Sequence, residues 1–190
     1  MRTASSMNAE PPWDSRGVAN LLLDIIEQRG RQATHIDLQK LLYFAHGRFL
    51  VGSGVPLVSG YFEAWRRGPV HPTVYDAFKE AGARPIAFRA ERTNLVTGQR
   101  SIVPAPDSPL VREHLDLVAI FYGRFTTGHL IEISHATGAP WDLTVKRTNS
   151  LITLGMRIPD DVIKFAFRRH KVAVGSTSPP GDELEDTPYT

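Results

Sequence analysis

Two helix-period apolar patterns, one directly after the other, constrain this chain more than any other feature. Val18, Leu21, Leu22, Ile25 and Ile26 recur at the spacing of one helix face, and Gly30 stops the pattern. Asp14 or Ser15 is placed to cap the first turn, which predicts an amphipathic helix over 16–28. Thr34 to Asp37 then has the form of a capping box, with Asp in the place of the usual Glu. It opens a second helix over 35–51 that buries Leu38, Leu41, Leu42, Ala45 and Phe49, with Gly52 and Gly54 as its stop.

The rest of the pattern is α+β and predominantly helical: about six helices with a small antiparallel β element. Tyr61 to Arg66 reads as a short aromatic strand that Arg67-Gly68-Pro69 breaks. Residues 71–81 form a third helix, with Pro72 near its first turn and Gly82 after its end. Residues 85–104 read as a hairpin: Ile86 and Phe88 alternate, a polar turn runs from Thr93 to Gln99, and Ser101 to Val103 returns. Ser108-Pro109 opens a fourth helix over 109–124, and Thr126 or Thr127 caps a fifth over 128–137 that Gly138, Pro140 and Trp141 close. Ile158-Pro159-Asp160-Asp161 starts a last helix that ends in Arg168-Arg169-His170-Lys171, acidic at its start and basic at its end as the helix dipole favours. Residues 1–14 are expected to be a flexible lead, 15–171 one domain, and 172–190 a disordered acidic tail.

Composition narrows the chemistry. The chain has 190 residues, enough for one domain with a real core. It has no cysteine, so thiolate-metal, disulfide and thiol-nucleophile chemistry are closed to it. No apolar run opens the chain or approaches the length of a membrane span, and a cytoplasmic protein is expected. From Lys171 onward one basic and four acidic residues give −3, so residues 1–170 are mildly basic, without the dense Lys/Arg stripe of a nucleic-acid binder.

Seven histidines invite a metal reading, but there is no His-x-x-x-His pair, and neither a metal nor a cofactor is expected. There is no Gly-x-Ser-x-Gly elbow and no phosphate-binding lysine loop, and Gly52 and Gly54 follow a helix rather than a strand. The sequence supplies no catalytic residue, so an enzyme is not expected. A helix-turn-helix reading of the first two helices is weak too. The second offers only Gln39, Lys40, His46 and Arg48 for base contacts around an apolar centre.

Tyr61 to Phe78 is the densest constellation. Trp65, Arg66 and Arg67 combine the aromatic and guanidinium side chains that dominate protein–protein hot spots. On a strand the two arginines point to opposite faces, one solvated and one held. Gly68 and Pro69 are turn makers under any function. His135 and Trp141 are expected in structural roles, the first hydrogen-bonded to a carbonyl and the second packed under a loop after Pro140.

Three ordered blocks in these residues resemble one family. Asp37-Leu38-Gln39-Lys40-Leu41-Leu42-Tyr43-Phe44-Ala45-His46-Gly47 is similar to its LQKLLYFAHG helix. Phe62 to Tyr75, FEAWRRGPVHPTVY, is similar to its FEAWxxGPVxxxVY signature. Ser134-His135 followed by Gly138-Ala139-Pro140-Trp141 is similar to its THxxxPW close, with Ser where Thr is usual, and Ala19-Asn20 matches the start of its first helix. The family is the Panacea antitoxin domain, SocA-like or GepA-like, and the resemblance runs from about residue 16 to 145. It implies an antitoxin that neutralises a cognate protein toxin by direct contact. The SocA-like branch also implies a proteolytic adaptor that delivers the toxin to ClpXP. No catalytic residue transfers. The expected partner-binding residues are Tyr43, Trp65, Arg66, Arg67, Val70, His71 and Tyr75, with Gly68, Pro69, His135, Pro140 and Trp141 as structural motif. A nucleic-acid-binding regulator of its own operon is the alternative.

Overall fold

The computed structural model describes residues 10–147 and 155–169. The first two helices lie where the periodicity puts them. Helix α1 is Ser15–Gln28, and the Asp14 carboxylate accepts the Arg16 N–H at its start. Helix α2 is His35–Ser53. Its capping box is formed: the Thr34 N–H donates to Asp37 at 2.9 Å and the Asp37 N–H to Thr34 Oγ1 at 3.3 Å. Gly54, at φ 83°, closes it in the left-handed conformation that glycine adopts without a Cβ penalty.

Helix α2 is not the one-faced helix its apolar spacing suggests. From Leu38 to Leu50 every residue except Arg48 is buried, Gln39, Lys40 and His46 included. The reason is its place: α1, strand β2 (Gly68–Val70) and the helices α4 (Pro109–Phe121), α5 (Thr127–His135) and α7 (Asp160–Arg169) all pack on it. Each fully buried Leu on such a helix contributes about 1.5–3 kcal/mol. The buried apolar residues from Trp13 to Ile163 form one continuous core around it.

The aromatic strand is β1, Phe62–Trp65, and its surroundings differ from expectation. Gly68-Pro69-Val70 does not end the sheet; it pairs back antiparallel as β2, with Trp65 opposite Gly68 and Ala64 opposite Pro69. Arg66 and Arg67 are therefore the loop of a tight hairpin rather than strand residues. Pro69 is tolerated because β2 is an edge strand and needs no N–H there. The other neighbour of β1 is β5, Met156–Ile158, three residues too short to leave an alternating signal in the sequence.

Helix α3, Pro72–Phe78, runs into a 3₁₀ turn at Lys79–Ala81. The 85–104 hairpin exists, but its ladder is only β3 (Glu91–Thr93) with β4 (Arg100–Ile102). Ile86 precedes it and is buried, its N–H donating to the Ala33 carbonyl. Asn20 of α1 clamps the base of the hairpin. Its Nδ2 donates to the carbonyls of Ala90 and Val103, and its Oδ1 accepts the Ala90 N–H at 2.8 Å.

Gly138, Pro140 and Trp141 close α5 and also begin a further helix, α6, Pro140–Arg147. Proline suits a first helical turn because its missing N–H would have had no partner there. With α7 the described residues hold seven α-helices. Of the expected lead 1–14, residues from 10 on are described, and Trp13 among them is buried against Phe49 and exchanges backbone hydrogen bonds with Leu57 and Ser59. The ends of the chain, 1–9 and 170–190, lie outside the described residues, and with them the expected acidic tail and the expected helix end at His170-Lys171.

Candidate functional site

The three sequence blocks meet at one point in space, Gly68. It has φ 98°, and a Cβ built on it would stand 2.5 Å from Ser134 Oγ, 3.1 Å from Lys40 Nζ and 3.2 Å from His135 Nε2. Lys40 is fully buried, and its Nζ donates to the Pro69 carbonyl at 2.9 Å. Its neighbour Gln39 accepts the His71 N–H at 2.8 Å. Strand β2 has no strand on its outer side, and two consecutive side chains of α2 bond the backbone there, at Pro69 and at His71 just past the strand. From the third block, Trp141 Nε1 donates to the Trp65 carbonyl at 2.8 Å, and His135 stacks on the Trp141 ring at 4.0 Å. A helix, a hairpin and a helix–helix corner far apart in sequence are thus joined through buried backbone carbonyls. Such groups cost about 1–3 kcal/mol each if left unpaired.

Around this knot the histidines are held neutral. His35, His71 and His135 each have a pKa lowered to about 4, and burial is the main cause in all three. The Lys40 ammonium adds to the effect at His35 and His135. The His71 ring donates from Nε2 to the Ser59 carbonyl, which works against its desolvation, while its Nδ1 is buried without a partner. The expected carbonyl bond to His135 is not made at its buried Nε2, which has no partner; ring stacking fixes this side chain instead.

Several expected partner contacts are interior residues. Tyr43, Trp65, Val70 and His71 are all 5% exposed or less. Tyr43 packs on Phe62 and Phe167, and Trp65 packs on Tyr75 and donates to Glu63. Their aromatic character serves the core. Arg66 is exposed at the hairpin loop, Arg67 and Tyr75 are half-buried, and Tyr75 also lies against His35. Among the described residues no group of three metal-ligating side chains comes together, and no helix is long and apolar enough to cross a membrane.

The surface feature nearest the knot is an apolar groove of about 590 Å³ between α2, α7 and the α5–α6 corner. Tyr43 and Phe44 of the first block and Ser134 and Pro140 of the third line it, with Phe167 from α7. Phe44 and Tyr122 stack at 4.4 Å in its wall. Tyr43 Oη is buried without a hydrogen-bond partner, and burial pushes the phenol well above its ordinary pKa, so it stays a neutral donor. Arg48, the one exposed residue of the central stretch of α2, stands at the rim. Of these only Tyr43 was expected at a binding surface. Arg48 was named only as a base contact, although it is the charge interrupting the apolar run of α2; Tyr122, Ile133 and Phe167 carry no signal apart from core periodicity.

Residues 38–142 match the model of the SocA-like antitoxin Panacea domain. The chain belongs to the SocA-like Panacea antitoxin family. It is also 45% identical over 175 residues to the antitoxin SocA of Caulobacter vibrioides, covering 92% of this chain and 93% of that protein. No solved structure matches it. The matched Panacea segment begins at Leu38 and ends at Asp142, so it contains Lys40, the β1–β2 hairpin and the Trp141 corner. In this Panacea domain the motif residues are first of all the parts of a buried tie.

Proposed function

We propose that this protein is an antitoxin that neutralises a co-encoded protein toxin by direct contact. The observation that carries the reading is the near full-length similarity to a protein named as an antitoxin. The groove beside the knot is the docking surface we assign. Its apolar aromatic walls suit side chains of a partner, and Arg48 suits a carboxylate at the rim. Arg66 and Arg67, on the hairpin loop, and the half-buried Tyr75 are the candidates that remain from the expected face.

The SocA-like resemblance supports a finer route, in which the protein hands its toxin to ClpXP. The regulator alternative draws no support from α2, where Gln39, Lys40 and His46, three of the four polar residues offered to bases, are buried.

The test expresses the neighbouring reading frame alone and with this protein, following growth and neighbour level with and without ClpXP. Growth restored at constant toxin level supports neutralisation by binding. Growth restored only as the toxin disappears, and only with the protease, supports the adaptor route; deleting 172–190 then asks whether the tail tethers the protease. An absence of arrest overturns the antitoxin reading. Thr137→Trp, which fills the groove from an exposed position, is expected to abolish rescue. Full rescue by that variant, with loss in Arg66→Glu/Arg67→Glu, moves the contact to the hairpin loop.

A further inference from the structure

Helix α4 carries two seams. The inner one, Val111, Leu115, Val118 and Tyr122, is buried in the core. The outer one, Leu110, Glu113, Leu117 and Ile120, with Arg124 continuing its line from the turn just past the end of the helix, repeats at alternating spacings of three and four residues, which is the spacing of a coiled-coil contact line. Its apolar members are exposed: Leu110 by 62%, Leu117 by 60% and Ile120 by 54%, with Phe121 beside them at 37%. The helix is thus built to be covered on both sides, and among the described residues nothing covers the outer one.

The charges on the seam identify its occupant. Glu113 and Arg124 stand near opposite ends of it, and neither has an oppositely charged side chain within reach among the described residues. Arg124 is steered to its end by the rings of Phe121 and Phe125, each 5.1 Å from the guanidinium. Two copies of α4 laid antiparallel with Leu117 opposite Ile120 bring Glu113 opposite Arg124, and the two-fold axis repeats both pairs. A parallel arrangement sets Glu113 against Glu113 and Arg124 against Arg124. The surface is therefore complementary to itself in one orientation only.

We infer that the outer face of α4 is a homodimer interface, in which a second copy of this chain packs its own α4 antiparallel across the first. This proposal does not rest on the antitoxin reading. The seam is about three turns long, so the dimer is weak and dissociates in the micromolar range.

Sedimentation velocity of the full chain over a concentration series tests it. The expected result is a concentration-dependent dimer that Leu117→Glu converts to monomer, the fold being checked by circular dichroism; Ile120→Glu repeats the test if the first variant is unstable. Glu113→Arg and Arg124→Glu each weaken the dimer about tenfold, and the double charge swap restores it. A monomer at every concentration, a dimer indifferent to both glutamate substitutions, or a double variant no tighter than the single ones overturns the proposal. So does loss of toxin capture by Leu117→Glu in a chain that is always monomeric, which assigns the seam to the toxin. Rescue of growth is read separately, so monomeric Leu117→Glu that still neutralises leaves the antitoxin reading intact.

Discussion

Lys40 Nζ and the Pro69 carbonyl oxygen are 2.9 Å apart in the interior, an ammonium and an edge-strand carbonyl with no exposed surface on the lysine. This contact joins the central helix to the hairpin and orders much of what surrounds it. A charge-assisted bond of this kind contributes about 1.5–3 kcal/mol.

Lys40→Met keeps most of the apolar stem and removes the donor. We expect a loss of about 1.5–3 kcal/mol, read from the urea midpoint at constant slope. His35 and His135 should titrate at higher pH in the variant, since the nearby cation is gone. An unchanged midpoint together with unchanged histidine titration in NMR counts against the tie.

Stability should fall in mild acid. His35, His71 and His135 titrate near 4 in the folded chain against 6.5 unfolded, so between those values the unfolded chain binds protons that the folded one does not. Stability is full above about 6.5 and declines as the pH drops toward 4, by up to about 1.4 kcal/mol per group per pH unit. Urea titrations at a series of pH values measure the slope. A flat profile over this range means that these rings take up protons without unfolding.

Gly68→Ala should be strongly destabilising for two reasons that add. The backbone sits at φ 98°, and the new methyl group meets Ser134 Oγ, Lys40 Nζ and His135 Nε2 together. A cost of about 2–4 kcal/mol is expected. Gly52→Ala is the control, because a Cβ there meets nothing within 4 Å. Equal melting temperatures for the two variants would remove the argument.

Asn20→Leu is close in volume but strips three hydrogen bonds from Ala90 and Val103. We expect a loss of about 2–3 kcal/mol and faster amide exchange at Ala90 and through the 91–102 hairpin. Protection unchanged at Ala90 would show that the hairpin is held by its ladder alone.

The sequence by itself determined the local elements whose signals are local. The Thr34–Asp37 box, the Gly54 stop and the apolar spacing of α1 act within a turn or two of chain, so they read correctly as α1 and α2. The three motif blocks were legible as a family signature for the same reason: they are contiguous strings. Tertiary structure alone decided what those strings do. Pairing of β2 and β5 with β1 depends on partners three to seven residues and more than ninety residues away, and short strands carry no period of their own. Burial of Lys40, His71 and Trp65 is likewise invisible in composition, because polar and amphipathic side chains enter a core only where a specific carbonyl, carboxylate or ring is waiting for them. The exposed seam of α4 is the converse case. Its spacing was in the sequence all along, but only the packing of the other face of the helix shows which of the two seams is still uncovered.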